Sequence, residues 1–218
     1  MDKEPRIEEI EEATRHRIVH HWPAVVALLA IVAAFSVLSR TLAPYPIVLA
    51  GIVVVGLLLI LLERLLTQFI VVRTIAFVLV GVVTLAEATS ALRLVYLLPR
   101  QGISPSALLR DAAIIWGINI VTFALWYWLI DGGGPRRRYE RSHEGKDFLF
   151  PQQASEEGKN PWMPGFLDYL FLAFNHSTAF SPTDTAILTR RAKVLVMIQA
   201  TLSLMAIVVL AARALNSL

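Results

Sequence analysis

The chain reads as an all-α integral membrane protein of five transmembrane helices plus a re-entrant, pore-like half-helix before the last span. Three observations predict this. Hydrophobic residues make up 56% of the 218 positions and fall in blocks, where a soluble domain of this length would interleave them with charge. Five of the blocks approach the roughly 20 residues a helix needs to cross the hydrocarbon core. Between the fourth and fifth lies a stretch too short to cross, amphipathic FLDYLFLAFNHS followed by polar TAFSPTD.

Residues 1–21 form a polar N-terminal surface helix in which Ile7, Ile10 and Ile18 interrupt charge. This acidic start lacks the basic n-region and small-residue cleavage site of a signal peptide, so the first apolar block is expected to stay as an anchor. Residues 22–110 form a three-span region. Trp22–Leu38 and Ile47–Leu62 are its first two spans, and Pro44 and Pro46 force a short turn between them. Glu63, Arg64 and Arg73 then mark an interface. The third span, Thr74–Leu98, contains Glu87, and PRQGISPS supplies turn residues with a helix start at Ser104 or Ser106.

Residues 111–218 form the last region. Its first helix, the fourth span, finishes in Trp126, Tyr127 and Trp128, an aromatic cluster of the kind found where a helix leaves the bilayer. Asp131-Gly-Gly-Gly-Pro135 ends it sharply. The polar linker 132–165 is too poor in apolar residues to bury a core of its own, so it reads as a linker or small cap. A re-entrant helix, 166–178, is followed by a polar turn, 178–184, and a last span, 192–214. On the half-helix, Phe166, Tyr169, Leu170, Ala173 and Phe174 recur at helical spacing as a packed face, while Pro161 and Pro164 fix how the chain enters it.

Unpaired backbone at membrane depth is tolerated only where it lines protein or water, so a half-helix with a polar turn suggests an ion path. The filter-like residues are Thr178, Ser181, Thr183 and Asp184. Asn175, His176, Gln199 and Ser203 are pore-lining candidates, the last two a turn apart on the final span. The segment DYLFLAFNHSTAFSPTD, with RRAKVLVMIQA and the closing ARALN, resembles the pore helix, filter and inner helix of the two-span potassium channel module. The fourth span with DGGGP, then DFLFPQ and this C-terminal segment, resembles more closely a family of uncharacterised bacterial membrane proteins known as a domain of unknown function. The resemblance covers roughly residues 120–218 and implies a bacterial cytoplasmic (inner) membrane location and a homo-oligomer around a shared axis.

The sequence departs from the channel pattern at its centre. A potassium filter needs two glycines to aim successive carbonyls at the ion, and Thr178–Asp184 has none; Pro182 fixes its own φ and restricts Ser181. The expectation is therefore weakly selective or non-selective permeation of small hydrated cations through an oligomeric pore. The alternative is a non-conducting scaffold or partner-binding protein with a vestigial pore loop.

Other features bound the function. Glu87 is an intramembrane carboxyl, expensive unless paired or protonated, hence a candidate for proton or cation binding or else for a structural pair with Arg93, Arg73 or Asn119. Glu12, His16 and His20 share a helical face with zinc-compatible spacing, but a solvated surface helix explains them as well, and no metal or cofactor is expected. Arg136, Arg137, Arg138 and Arg141 suit anionic lipid headgroups. The chain has no cysteine, no catalytic constellation and no nucleic-acid signal, so no enzyme is expected. With five crossings, fifteen of the 20 Lys and Arg fall on one side when residues 1–21, 64–73, 132–165 and 190–193 share it. The positive-inside rule then puts that side in the cytoplasm, opposite to the orientation of a potassium channel.

Overall fold

The computed structural model describes residues 22–40, 42–43, 50–51, 53–54, 58, 69–98, 104–140, 145–154, 162–178 and 184–215. Among them the regular elements are helices and two short strands. In chain order these are α1 (Trp22–Val37), α2 (Phe69–Leu97), α3 (Pro105–Ile130), a 3-10 turn (Asp131–Gly133), α4 (Pro135–Glu140), β1 (Phe148–Leu149), α5 (Pro151–Ala154), α6 (Phe166–Thr178), β2 (Ala186–Ile187) and α7 (Arg190–Leu215).

Among the described residues three helices, where five are expected along the chain, are long and apolar enough to cross a membrane: the stretches Val71–Leu97, Ser106–Gly133 and Arg190–Ala212. The first expected span forms α1, but its 16 residues rise only about 24 Å, short of a core about 30 Å thick. Most of the second expected span lies outside the described residues. So do the surface helix with Glu12, His16 and His20, and residues 179–183 of the polar turn, and no re-entrant pore loop is seen among the described residues.

Helix α3 is the centre of the bundle and packs against α1, α2, α6 and α7. Of its apolar stretch 67% is buried, against 33% in α2 and 28% in α7, so the outer two present most of their length outward. The outward residues are apolar: Val78, Leu85 and Leu92 on α2; Met197, Leu204 and Val208 on α7. Such faces would be insoluble in water and fit lipid tails, which makes the chain a membrane-embedded protein in contact with lipid. Inside, Ile31 and Phe35 of α1, Leu94 of α2, Leu108, Ile115 and Phe123 of α3 and Leu172 of α6 form the core.

Helix α3 begins at Ser104 as expected, with Pro105 as its first residue, where the missing N–H costs nothing. It ends at Asp131 because Gly132, Gly133 and Gly134 take φ of 57°, 81° and 103°, a region glycine enters without strain. The Trp126–Trp128 cluster is not a lipid-facing belt. Tyr127 and Trp128 are buried, and the Trp126 indole N–H donates to Thr84 Oγ1 of α2 over 2.8 Å. Aromatic rings with a polar tip serve helix packing here instead of the headgroup layer.

The linker packs on the end of the bundle. It adds β1, antiparallel to β2 with Phe148 opposite Ile187 and Leu149 opposite Ala186. Its Phe148 and Phe150 are buried, with ring centroids 5.0 Å from Tyr127 and 5.4 Å from Tyr169. Low average hydropathy conceals three aromatic residues, Phe148, Phe150 and Trp162, that close the bundle at this end.

Candidate functional site: a polar chain at mid-depth

Helix α6 starts beside the end of α3, where Phe166 packs on Trp128, and its last turn reaches Asn119. Asn119 lies eleven residues before Ile130, about 16 Å along the helix axis, which is half a hydrocarbon core. By Ala186 the chain is back at the same end, paired with β1. The first turn of α6 is organised by Asp168, whose carboxylate accepts the Gly165 N–H at 2.7 Å while its own N–H donates to the Gly165 carbonyl.

At mid-depth, four helices contribute one connected set of buried polar groups. Gln199 of α7 is fully buried, and its Nε2 donates to the Ala173 carbonyl (2.7 Å) and to Ser177 Oγ (2.8 Å). A carbonyl can only accept, so the amide orientation is fixed: Gln199 Oε1 points the other way and accepts the Tyr127 hydroxyl of α3. Ser177 Oγ–H donates to Asn119 Oδ1 (2.9 Å), which turns Asn119 Nδ2 toward Glu87 Oε1 of α2 (2.6 Å). Ser203, one turn after Gln199, donates to the Ser177 carbonyl at 2.7 Å and so holds the last turn of α6. Every bond therefore runs one way, from Tyr127 through Gln199, Ser177 and Asn119 to Glu87.

Of the filter-like and pore-lining candidates, Gln199 and Ser203 are thus brought together, but against protein. Thr178 Oγ1 donates to the Asn175 carbonyl, closing the last turn of α6, and Asn175 is half-buried. His176 Nδ1–H donates to the Leu172 carbonyl at 2.7 Å, and its ring meets Tyr127 edge-on. Asp184 is exposed two residues before β2, while Ser181 and Thr183 lie outside the described residues. Glu87 is fully buried and pairs with Asn119, one of the three partners expected for it.

A second polar cluster at the end of α3 had no warning in the sequence beyond acids set among aromatic and glycine residues. Asp131 Oδ1 accepts the Asp147 and Phe148 N–H groups (2.8 and 3.3 Å), and Oδ2 accepts the Tyr169 hydroxyl (2.6 Å). Asp147, fully buried, takes a two-pronged bond from Arg191 of α7 at 2.6 Å on each oxygen, plus the Thr189 hydroxyl. Arg138, expected at the headgroups, is instead buried. Its NH1 donates to the Trp128 and Asp131 carbonyls, and its guanidinium lies 5.0 Å from the Tyr169 ring centre. Arg137 remains exposed and suited to headgroups.

No group of three or more metal-ligating side chains occurs among the described residues. No protein-family model, curated protein or solved structure matches the chain, and none ties it to the potassium-channel pore family.

Proposed function

We propose that this chain is a non-conducting bacterial inner-membrane scaffold or partner-binding protein, not an enzyme, in which the pore-like hairpin is a sealed packing element. One observation carries the reading: the side chains that would line a path, Gln199 and Ser203, spend their hydrogen bonds on α6 and α3. A group bonded on all sides within protein has no free dipole to offer a passing ion. The polar chain is also a poor proton wire, because two of its links are amides, which relay a proton only through a costly tautomer.

A second reading, weakly selective cation permeation around the axis of an oligomer, draws on a different observation. Thr178 ends α6 near Asn119, Ala186 pairs with β1 near the end of α3, and Asp184 is exposed beside β2. Flux from proteoliposomes separates the two. The scaffold reading expects K⁺ and Na⁺ efflux equal to that of protein-free vesicles. Efflux above that baseline, reduced by Asp184→Asn, would establish the channel instead.

A further inference from the structure

The polar chain is satisfied at every link but its last. Glu87 Oε2 and Thr122 Oγ1 are buried and have no hydrogen-bond partner among the described residues. Thr122 lies one turn beyond Asn119 on α3, on the face from which Asn119 reaches Glu87. A buried carboxylate oxygen at mid-depth is costly unless a proton or a cation answers it. No described cation answers the carboxyl. Helix α1 carries no charged residue, α3 none between Asp111 and Asp131, and α7 none between Lys193 and Arg213. From α6 the titratable groups are Asp168, which is committed to Gly165, and His176, which is committed to Leu172. Arg93 stands six residues further along α2 itself.

We propose that Glu87 is a proton-binding site: its Oε2 carries a proton and donates it to Thr122 Oγ1. The proton extends the one-way row of donors by one step and removes a negative charge that no described cation balances. The Oε1 atom is left as the carbonyl oxygen that accepts from Asn119, in keeping with the 2.6 Å contact. The alternative occupant of the same gap is a monovalent metal cation bound by a carboxylate and a hydroxyl, and the test distinguishes it.

The experiment is infrared difference spectroscopy on the full chain reconstituted in bilayers, wild type against Glu87→Gln. Glutamine reproduces the neutral acid, with an oxygen for Asn119 and an N–H for Thr122, so the variant retains the fold. At neutral pH the wild type should show a carboxylic-acid carbonyl band that the variant lacks, and its melting temperature should be indifferent to Na⁺ and K⁺. Raising the pH should lower the melting temperature of the wild type relative to the variant, because the acid's contribution is present while it is protonated and is lost as the proton leaves. Carboxylate bands in place of the acid band, or a melting temperature that rises with Na⁺ in the wild type alone, would overturn the proposal.

Discussion

The Tyr169 hydroxyl donates to Asp131 Oδ2 across 2.6 Å, joining the first turn of α6 to the residue that terminates α3. Both groups are buried, and Arg138 stacks over the same ring while donating to the Asp131 carbonyl. The half-helix is therefore held at its start by a charged hydrogen bond and at its end by the mid-depth chain.

Tyr169→Phe leaves Asp131 with two backbone donors and one unfilled oxygen. Hydrogen bonds to charged groups contribute about 1.5–3 kcal/mol, and a loss in that range is expected. Chemical unfolding of wild type and variant in the same detergent measures it. An unchanged midpoint would show that this contact contributes nothing.

Gln199→Leu keeps the apolar volume of the site but strands the Tyr127 hydroxyl, the Ala173 carbonyl and part of Ser177 at once. Buried groups left unsatisfied cost about 1–3 kcal/mol each, so a drop of at least about 2 kcal/mol is expected. If Gln199 faced a water-filled pore, the substitution would be nearly neutral for stability and would alter flux instead.

Arg191→Ala removes the only cation bonded to Asp147 among the described residues. The arginine is half exposed but the carboxylate is fully buried, so the cost lies chiefly with the stranded acid, about 2–3 kcal/mol. The double variant Arg191→Ala/Asp147→Asn should recover part of it, because the unpaired charge is then gone.

Gly132→Ala tests the turn. A Cβ there would lie 2.6 Å from Arg138 Cγ, on a residue with φ of 57°, so both the arginine and the backbone must shift. A cost of about 1–3 kcal/mol is expected, whereas Gly117→Ala, with open space around its Cβ inside α3, should be neutral or stabilising.

Asp168 provides a pH dependence. Burial raises its carboxyl above the ordinary 3.8, opposed by the Gly165 N–H it accepts. Because the folded value lies above the unfolded one, the stabilisation is complete below pH about 4 and is lost as the pH rises through the folded value. Asp168→Asn, which still accepts from Gly165, should flatten this part of the melting-temperature profile, while Asp168→Ala should lose the cap outright, at about 1 kcal/mol.

The long apolar elements were legible because length and hydropathy report directly on what lipid tolerates. The start of α3 at Ser104 and its stop at Asp131 followed from local chemistry, a proline that suits a first turn and glycines that suit positive φ. Three of the five expected spans are found among the described residues, because α1 is described over 16 residues and most of the second span lies outside them. Glu87 stood out as an acid among apolar residues, and Asn119 was among its foreseen partners. Tyr127, Asp147 and Arg191 were hidden because their roles depend on groups 72, 42 and 44 residues away in sequence, which local pattern does not encode.

In a bilayer, apolar side chains distinguish poorly between one helix register and the next, since lipid tails resemble leucine. The one-way order from Tyr127 to Glu87 does distinguish them. A slide or rotation of one helix by a single residue would set donor against donor or acceptor against acceptor somewhere along the row, and no local flip could repair it without breaking the next link. The row thus acts as a lock with one key position, selecting a single alignment of four helices in a solvent that gives them little other instruction.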